Sequence, residues 1–278
     1  MGGSRLSNVE LWIEYTQGKQ TYKQLATKYA VSKRTISRRI DQITVSPLTL
    51  SIGSVAVLLD TSYWGKSFGV MVFKDAYSGA ILYTQFIKQE TNTLYKSGIA
   101  HLQSLGFEIK AIICDGRKGL LGAFEPIPVQ MCQFHQAAIV TRYLTKRPKM
   151  QAAKELQEHM RLLPVTDKES FVGGLVDWEE KWADFLAERS LNPITGKTIY
   201  THRRLRSAVR SIKTNMQWLF TCYDYPELNI PNTTNALDGL FSDLKNKLRN
   251  HNGLSKERKQ KFINEFFKAW DADKATRK

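Results

Sequence analysis

Two aspartates close apolar runs. Asp60 ends VAVLLD (55–60) and Asp115 ends IKAIICD (109–115). In α/β sheets, ligands and reacting groups gather outside the carboxyl ends of the strands. If these two strands are parallel neighbours, their carboxylates stand within a few ångströms of each other, at the ~5 Å strand spacing. Two adjacent carboxylates raise each other's pKa unless a cation sits between them. Hard oxygen donors suit Mg2+ or Mn2+. Phosphoryl-transfer enzymes use pairs of such ions ~3.5–4 Å apart. One Asp after a strand reads more simply as a turn opener; the pair, in this strand order, favours a metal site.

The elements around them must place the two acids. FGVMVFKD (68–75) and AILYTQFI (80–87) flank the turn-like Ala76-Tyr77-Ser78-Gly79 and, after VAVLLD, predict a three-strand antiparallel meander. Apolar residues at 94, 95, 99, 102 and 105 predict a helix over 91–105. IKAIICD is the next strand, 117–124 a short helix, and VQMC (129–132) a last short strand. From 136 onward the pattern is helical almost throughout: 136–160, 168–190, 203–223, 235–249 and 257–270, with breaks at Asn192-Pro193 and at Pro226 and Pro231. Trp178, Trp182 and Trp218 fit a helical core better than a base-stacking platform. Residues 271–278 read as a frayed tail.

Ahead of the strands, residues 1–46 hold three short helical patterns. Thr21 and Ser32 are N-cap types for the second and third. Leu25, Ala26, Val31, Ile36 and Ile40 fall at helical spacing around a turn at Ala30-Val31. This is a helix-turn-helix pattern, whose last helix turns Lys33, Arg34, Ser37 and Arg38 outward as major-groove recognition requires. The plainer alternative is a solvated basic hairpin packed on its neighbour. The net charge of the chain favours DNA. Residues 44–54, TVSPLTLSIGS, read as a linker broken by Pro47 and Gly53.

Composition narrows the classes. With 278 residues, 42% hydrophobic and 24% charged, the chain is neither disordered nor fibrous. Lys plus Arg number 41 against 26 acids, a net charge of +15 that calls for a polyanionic partner, nucleic acid before an acidic membrane surface. Three cysteines without a Cys-x-x-Cys pair argue against a disulfide framework or a zinc finger. No apolar run reaches the ~20 residues of a membrane span. The Met-Gly-Gly-Ser-Arg-Leu start is not a signal peptide. A cytoplasmic setting fits best.

In order along the chain, LLDTSYWGKSFGVMVFKD (58–75), IICDGRKGLLGAF (112–124), VQMCQFHQ (129–136) and TTNALDGLFSDLKNKLRNHNGLS (233–255), with the helix-turn-helix at 21–43, resemble the DDE-type transposases of bacterial insertion sequences, within the Mutator-like superfamily. The likeness covers nearly the whole chain.

The resemblance implies an α/β fold: an RNase H-like mixed sheet interrupted by an all-α insertion and preceded by an all-α helix-turn-helix domain. The implied division is 1–46 for DNA binding, 47–54 as linker, 55–135 and 232–270 as the two parts of the catalytic domain, 136–231 as the insertion and 271–278 as tail. Asp60, Asp115 and Asp238 match the three acids that hold two Mg2+ or Mn2+ ions, with His135 beside them in a Cys132-x-x-His135 motif. The family usually has Glu at the third position, and Asp238 is one methylene shorter. Asn235 shares a helical face with Asp238, whereas Asp243 points elsewhere and Glu227 lies among prolines. Many relatives carry a zinc ribbon ahead of the helix-turn-helix; this chain starts without one. Cys132 and His135 are two donors where a closed zinc site wants four, which favours a structural or DNA-positioning role; a satisfied core histidine is an equal reading.

Two basic runs complete the pattern. Residues 197–213 include Arg203 and Arg204 without an acid, and 245–261 include Lys245, Lys247 and Arg249 with Glu257 alone. Both flank Asp238 in sequence and suit a DNA channel; solvated helix faces are the plain alternative. Arg117 and Lys118, after Asp115, are candidates for a scissile phosphate or for a turn. The expected activity is metal-dependent hydrolysis and strand transfer at the terminal inverted repeats of a mobile element. Its partners would be double-stranded DNA, including a target, and a second or further copy of the chain, with no membrane and no small-molecule substrate. The implied location is a bacterial cytoplasm, at the nucleoid. The alternatives are a catalytically impaired or truncated copy that only binds DNA, and a metal-dependent nuclease or junction resolvase, against which the helix-turn-helix and the helical insertion argue.

Overall fold

The computed structural model describes residues 7–48, 50–251 and 253–275. Three short helices open it: α1 (Asn8–Thr16), α2 (Tyr22–Lys28) and α3 (Lys33–Asp41). Each starts on a hydroxyl cap. Ser7 accepts from Glu10 N, Thr21 from Gln24 N and Ser32 from Thr35 N, so one orphan N–H per helix is satisfied at each start. Ala30, at φ 51, turns the chain between α2 and α3.

A five-stranded sheet follows. It consists of β1 (Ser54–Tyr63), β2 (Gly69–Asp75), β3 (Ile81–Ile87), β4 (Glu108–Cys114) and β5 (Val129–Met131), with α4 (Asn92–Ser104) crossing between β3 and β4. The strand order is β3-β2-β1-β4-β5. The meander β1–β3 is antiparallel, while β4 runs parallel to β1 and β5 parallel to β4. This mixed sheet flanked by helices is consistent with an RNase H-like core.

Alternation along the strands splits the interior in two. Val57, Leu59, Met71 and Phe73 turn to one face, where α4 packs. There Gly98 lets the helix approach: a Cβ on it would lie 2.0 Å from Phe73 Cζ. Ala56, Leu58, Val70 and Val72 turn to the other face and join a core with residues of α1–α3 and of the C-terminal helices.

Beyond β5 the chain forms α5 (Gln133–Leu144), α6 (Gln151–Leu162), α7 (Lys168–Lys181), α8 (Ala183–Ala187), β6 (Arg189–Leu191), β7 (Thr198–Tyr200), α9 (Arg203–Leu219) and α10 (Thr221–Asp224). Last come α11 (Asn235–Arg249) and α12 (Lys256–Ala275). No helix among the described residues is long and apolar enough to cross a membrane.

Five expectations need correction. β1 does not stop at Asp60 but runs through it to Tyr63, because β2 continues to pair beside it. The helix expected over 117–124 is a 3₁₀ turn at Leu121–Phe124 only, since Gly119 sits at φ 74. The helix over 136–160 is two helices, parted where Thr145 takes φ 73. The expected all-α insertion contains an antiparallel hairpin, β6–β7. The expected tail at 271–278 is helical through Ala275. Its start is fixed where Asp271 Oδ1 accepts from Ile81 N at 3.1 Å; residues 276–278 lie outside the described residues.

The N-terminal helices are not a separate body. Tyr15 of α1 packs against Phe262 of α12 and against His251, with ring centroids 5.9 and 4.3 Å away. Arg258 of α12 grips Asp41 through two nitrogens, and Lys261 Nζ donates to Ile40 O at 2.6 Å.

Candidate active site

Register sets the first two acids side by side. The parallel pairing of β1 with β4 puts Leu58 opposite Ile113. Asp60 and Asp115 each follow two residues later on their own chains, so they leave the shared ladder at the same end. Asp60 stays in β1 and pairs with Val72 across the antiparallel side. Asp115 opens the loop after β4 and accepts from Arg117 N at 3.2 Å.

Asp238 comes from the first turn of α11. Its charge reaches Asp60, as does that of Asp115. Burial pushes the Asp60 carboxyl up, and those two neighbours push it further. The Thr61 N–H, 2.7 Å from Oδ1, and His135 pull the other way. The outcome is a carboxyl at about 7, far above the ordinary range of an aspartate.

The Cys132-x-x-His135 segment ties the third acid to the second. Cys132 N donates to Cys114 O at 2.8 Å, which anchors it beside the end of β4. Its Sγ accepts from Thr234 N at 3.3 Å and from the Thr234 hydroxyl at 3.4 Å, at the start of α11. Gln133 N donates to Asn232 O at 2.9 Å. From the other side, the buried Lys74 donates to Ala236 O at 3.1 Å.

Burial pushes the Cys132 thiol up, but hydrogen bonds from His135 and Thr234 more than offset that and hold it below its usual value. His135 is raised to about 9. The nearby Cys132 sulfur is the main cause; burial opposes it, and the charges of Asp60 and Asp115 add to it. His135 therefore brings a positive charge to the acids, and its Nδ1 is buried without a hydrogen-bond partner.

A second network braces the loops and was not legible in the sequence. The Tyr95 hydroxyl lies 2.9 Å from Thr61 Oγ1 and donates to Glu90 Oε1 at 2.8 Å. Arg117 donates to Glu90 O at 2.9 Å and to Asn92 Oδ1 at 2.8 Å, and its guanidinium also pairs with the Glu90 carboxylate at 3.7 Å. The only signal was Thr91, an N-cap type that fixes where α4 begins.

The donor set fits a divalent cation in its chemistry. Three carboxylates from distant segments share one field, and the cost borne by Asp60 is one a cation would relieve. As placed, the side chains are not gathered into a ligand cluster: no group of three or more His, Cys, Asp or Glu positioned to hold a metal occurs among the described residues.

The expected DNA-contacting residues divide. On α3, Lys33, Arg34 and Arg38 are exposed and Ser37 half-buried. Arg34, Ser37 and Arg38 line a cleft of about 630 Å³, together with Arg258. Lys118, Arg203, Lys245 and Arg249 are exposed. Arg204 is exposed, with its guanidinium donating to Arg142 O at 2.7 Å. Two are engaged internally. Arg117 belongs to the loop network above, and Lys247 lies 3.7 Å from Asp243 and 5.2 Å from the Phe266 ring centroid.

No protein-family model matches the chain, and no curated protein matches it. Solved structures give partial likenesses. One is the HTLV-2 integrase catalytic core domain in complex with magnesium, 17% identical over 42% of this chain and 90% of that one, with TM-score 0.24. Another is a simian T-cell lymphotropic virus intasome, 12% identical over 73% and 68%, with TM-score 0.23. A third is the Mos1 strand transfer complex, 14% identical over 67% and 79%, with TM-score 0.21. Scores of that size do not by themselves establish a common fold.

Proposed function

We propose that the chain is a DDE-type DNA transposase of an insertion sequence, with Asp60, Asp115 and Asp238 as its acids. One observation carries the reading. A half-buried aspartate on the central strand, its carboxyl desolvated and raised to about 7, lies in the field of two acids brought from 55 and 178 positions further along. Such a cost at the carboxyl end of a parallel pair is a functional signature.

Asp60 and Asp115 would hold Mg2+ or Mn2+ from the sheet, and Asp238 from α11. Two such ions, if bound there, would supply Lewis-acid chemistry for phosphodiester hydrolysis and strand transfer. The rest falls to the protein. Thr61 N–H fixes one oxygen of Asp60, and the Arg117 N–H fixes one of Asp115. Cys132 and Thr234 set the position of the α11 start. His135, protonated at neutral pH, would offer a phosphate a positive charge near the acids. Helices α2 and α3 would read the element ends, and a dimer or larger assembly would pair two ends.

One feature favours a second reading, a copy that binds ends without cutting: the three acids are not drawn into a ligand cluster. Purified chain, labelled DNA from both flanks of its own gene, and Mg2+ or Mn2+ separate the two. Discrete cuts at an inverted repeat, lost in Asp60→Ala and Asp238→Ala, are expected. Cuts that survive Asp238→Ala would place the third acid elsewhere, and specific binding without cuts would establish the silent copy.

A further inference from the structure

Among the described residues, the hairpin β6–β7 is the one sheet outside the five-stranded one. Its tip is apolar and bare. Ile194 is 91% exposed, more than any other large apolar side chain among the described residues, and Leu191 is 71% exposed. Pro193 lies between them in sequence. Nothing covers this tip, yet its backbone is pinned. Asn192 Oδ1 accepts from Ile194 N at 2.9 Å and Thr195 N at 3.2 Å. Asn192 N donates to Lys197 O at 2.9 Å, Gly196 N donates to Asn192 O at 2.8 Å, and Gly196 takes φ 64.

The base is clamped as firmly. Tyr200 lies between the guanidinium groups of Arg189 and Arg206, whose carbons are 4.3 and 3.7 Å from its ring centroid. Arg206 Nη1 donates to Leu186 O at 2.9 Å, and His202 stacks on Phe185 at 3.6 Å. A lone exposed isoleucine would mean little, but Leu191, Pro193 and Ile194 together form an exposed apolar tip on a fixed mount, the kind of patch that marks an interaction site.

Charge identifies the receiver. Between residues 188 and 213 the single acid is Glu188, which pairs with His202 at 2.9 Å. Lys197 and Arg203 are exposed beside the hairpin. A second copy's hairpin packed tip to tip would bring the like cations Lys197 and Arg203 together. A phosphate backbone would be attracted. Two-stranded ribbons enter DNA grooves, the minor groove is ~6 Å wide, and exposed Ile, Leu and Pro side chains act there as wedges between base steps.

We propose that this hairpin is a DNA wedge. Ile194 enters the minor groove of duplex DNA and unstacks a base step, while Lys197 and Arg203 hold the flanking phosphates. The inference rests on the DNA-binding reading above and adds to it a bend imposed on the duplex at a point distant in sequence from α3.

The test uses the full chain and duplexes from the flanks of its gene, carrying 2-aminopurine at successive positions and a donor–acceptor dye pair at the ends. Binding should raise 2-aminopurine fluorescence at one or two adjacent positions and shorten the end-to-end distance. Ile194→Ser should abolish both and weaken binding about tenfold, with an unchanged melting temperature because the side chain packs on nothing. Ile194→Phe should retain both signals. Lys197→Ala should weaken binding and flatten its salt dependence while the unstacking signal stays. Binding by Ile194→Ser with the full bend, or binding by wild type with no unstacked position, overturns the wedge and leaves the DNA reading intact. Absence of any duplex binding by wild type overturns both. Conversion of a DNA-free dimer to a monomer by Ile194→Ser would assign the tip to a second copy instead.

Discussion

Asp60 is held in a place that disfavours its charge, and this has a sign that can be measured. Its folded value of about 7 lies above the 3.8 of a free aspartate. Folding therefore binds a proton that the unfolded chain releases, and stability falls as pH climbs. The loss begins near pH 3.8 and is complete above about 7. Asp60→Asn should melt above wild type at pH 8 and level with it near pH 4. At ~1.4 kcal/mol per unit the gap approaches roughly 4 kcal/mol. Mg2+ should raise the wild-type melting temperature at pH 8 and leave that of the variant unmoved. Equal melting curves at pH 8 would remove the buried-charge account. Asp60 and Asp115 are conspicuous in the sequence because an acid after a run of buried aliphatics is locally odd. The residues that brace them are not. Tyr95 reads as one more apolar helix position, Lys74 as a lysine near the end of a strand, and Glu90 as a loop acid; their partners lie up to 162 positions away.

Elements with strong local chemistry read well. The hydroxyl caps of α2 and α3 and the antiparallel meander are present where residue types alone put them; the Ser7 cap of α1 adds a third. The β6–β7 hairpin did not read, because three-residue strands are too short to show alternation, although the Asn192 to Gly196 turn residues were in view. The length of β1 was misread for the opposite reason: its last residues are kept in the strand by a neighbour, not by their own pattern.

The seam between α1 and α12 belongs to the same scale. His251 packs between Tyr15 and Phe262, with ring centroids 4.3 and 4.9 Å away. Burial pushes its pKa down to about 4, against a bond to the Tyr15 backbone. The folded value lies below the ordinary 6.5, so the seam is at full strength above that pH and weakens as pH falls through about 4. An acid-tolerant protease should cut the 43–53 segment faster at pH 4 than at pH 7. In His251→Phe that rise should disappear. A cutting rate that is flat with pH in wild type would contradict the assignment.

At the scale of the whole molecule, charge decides the partner and the fold decides which charges reach it. With +15 overall, duplex binding should weaken steeply with salt. Each of Lys33→Ala, Arg34→Ala and Arg38→Ala should flatten the log–log slope by about 0.9 if its side chain meets a phosphate. Lys247→Ala should leave the slope unchanged, because that ammonium faces Asp243 and Phe266. Titrations at four or five salt concentrations distinguish the two groups, and a Lys247→Ala slope change as large as the others would show that the basic run on α11 is read from outside. The division at residue 46, natural on sequence grounds, is weaker in three dimensions, because Leu11, Leu25, Ile36 and Ile40 share one core with Leu58 and Val72 of the sheet.

That shared core makes the chain a gauge. Helix α3 and the strand bearing Asp60 are mates in a single packed interior, so neither can swing without opening it. If α3 reads DNA and the three acids cut it, as proposed, the number of base pairs between those two points is built into the protein, and the DNA would have to supply the matching interval or bend to meet it.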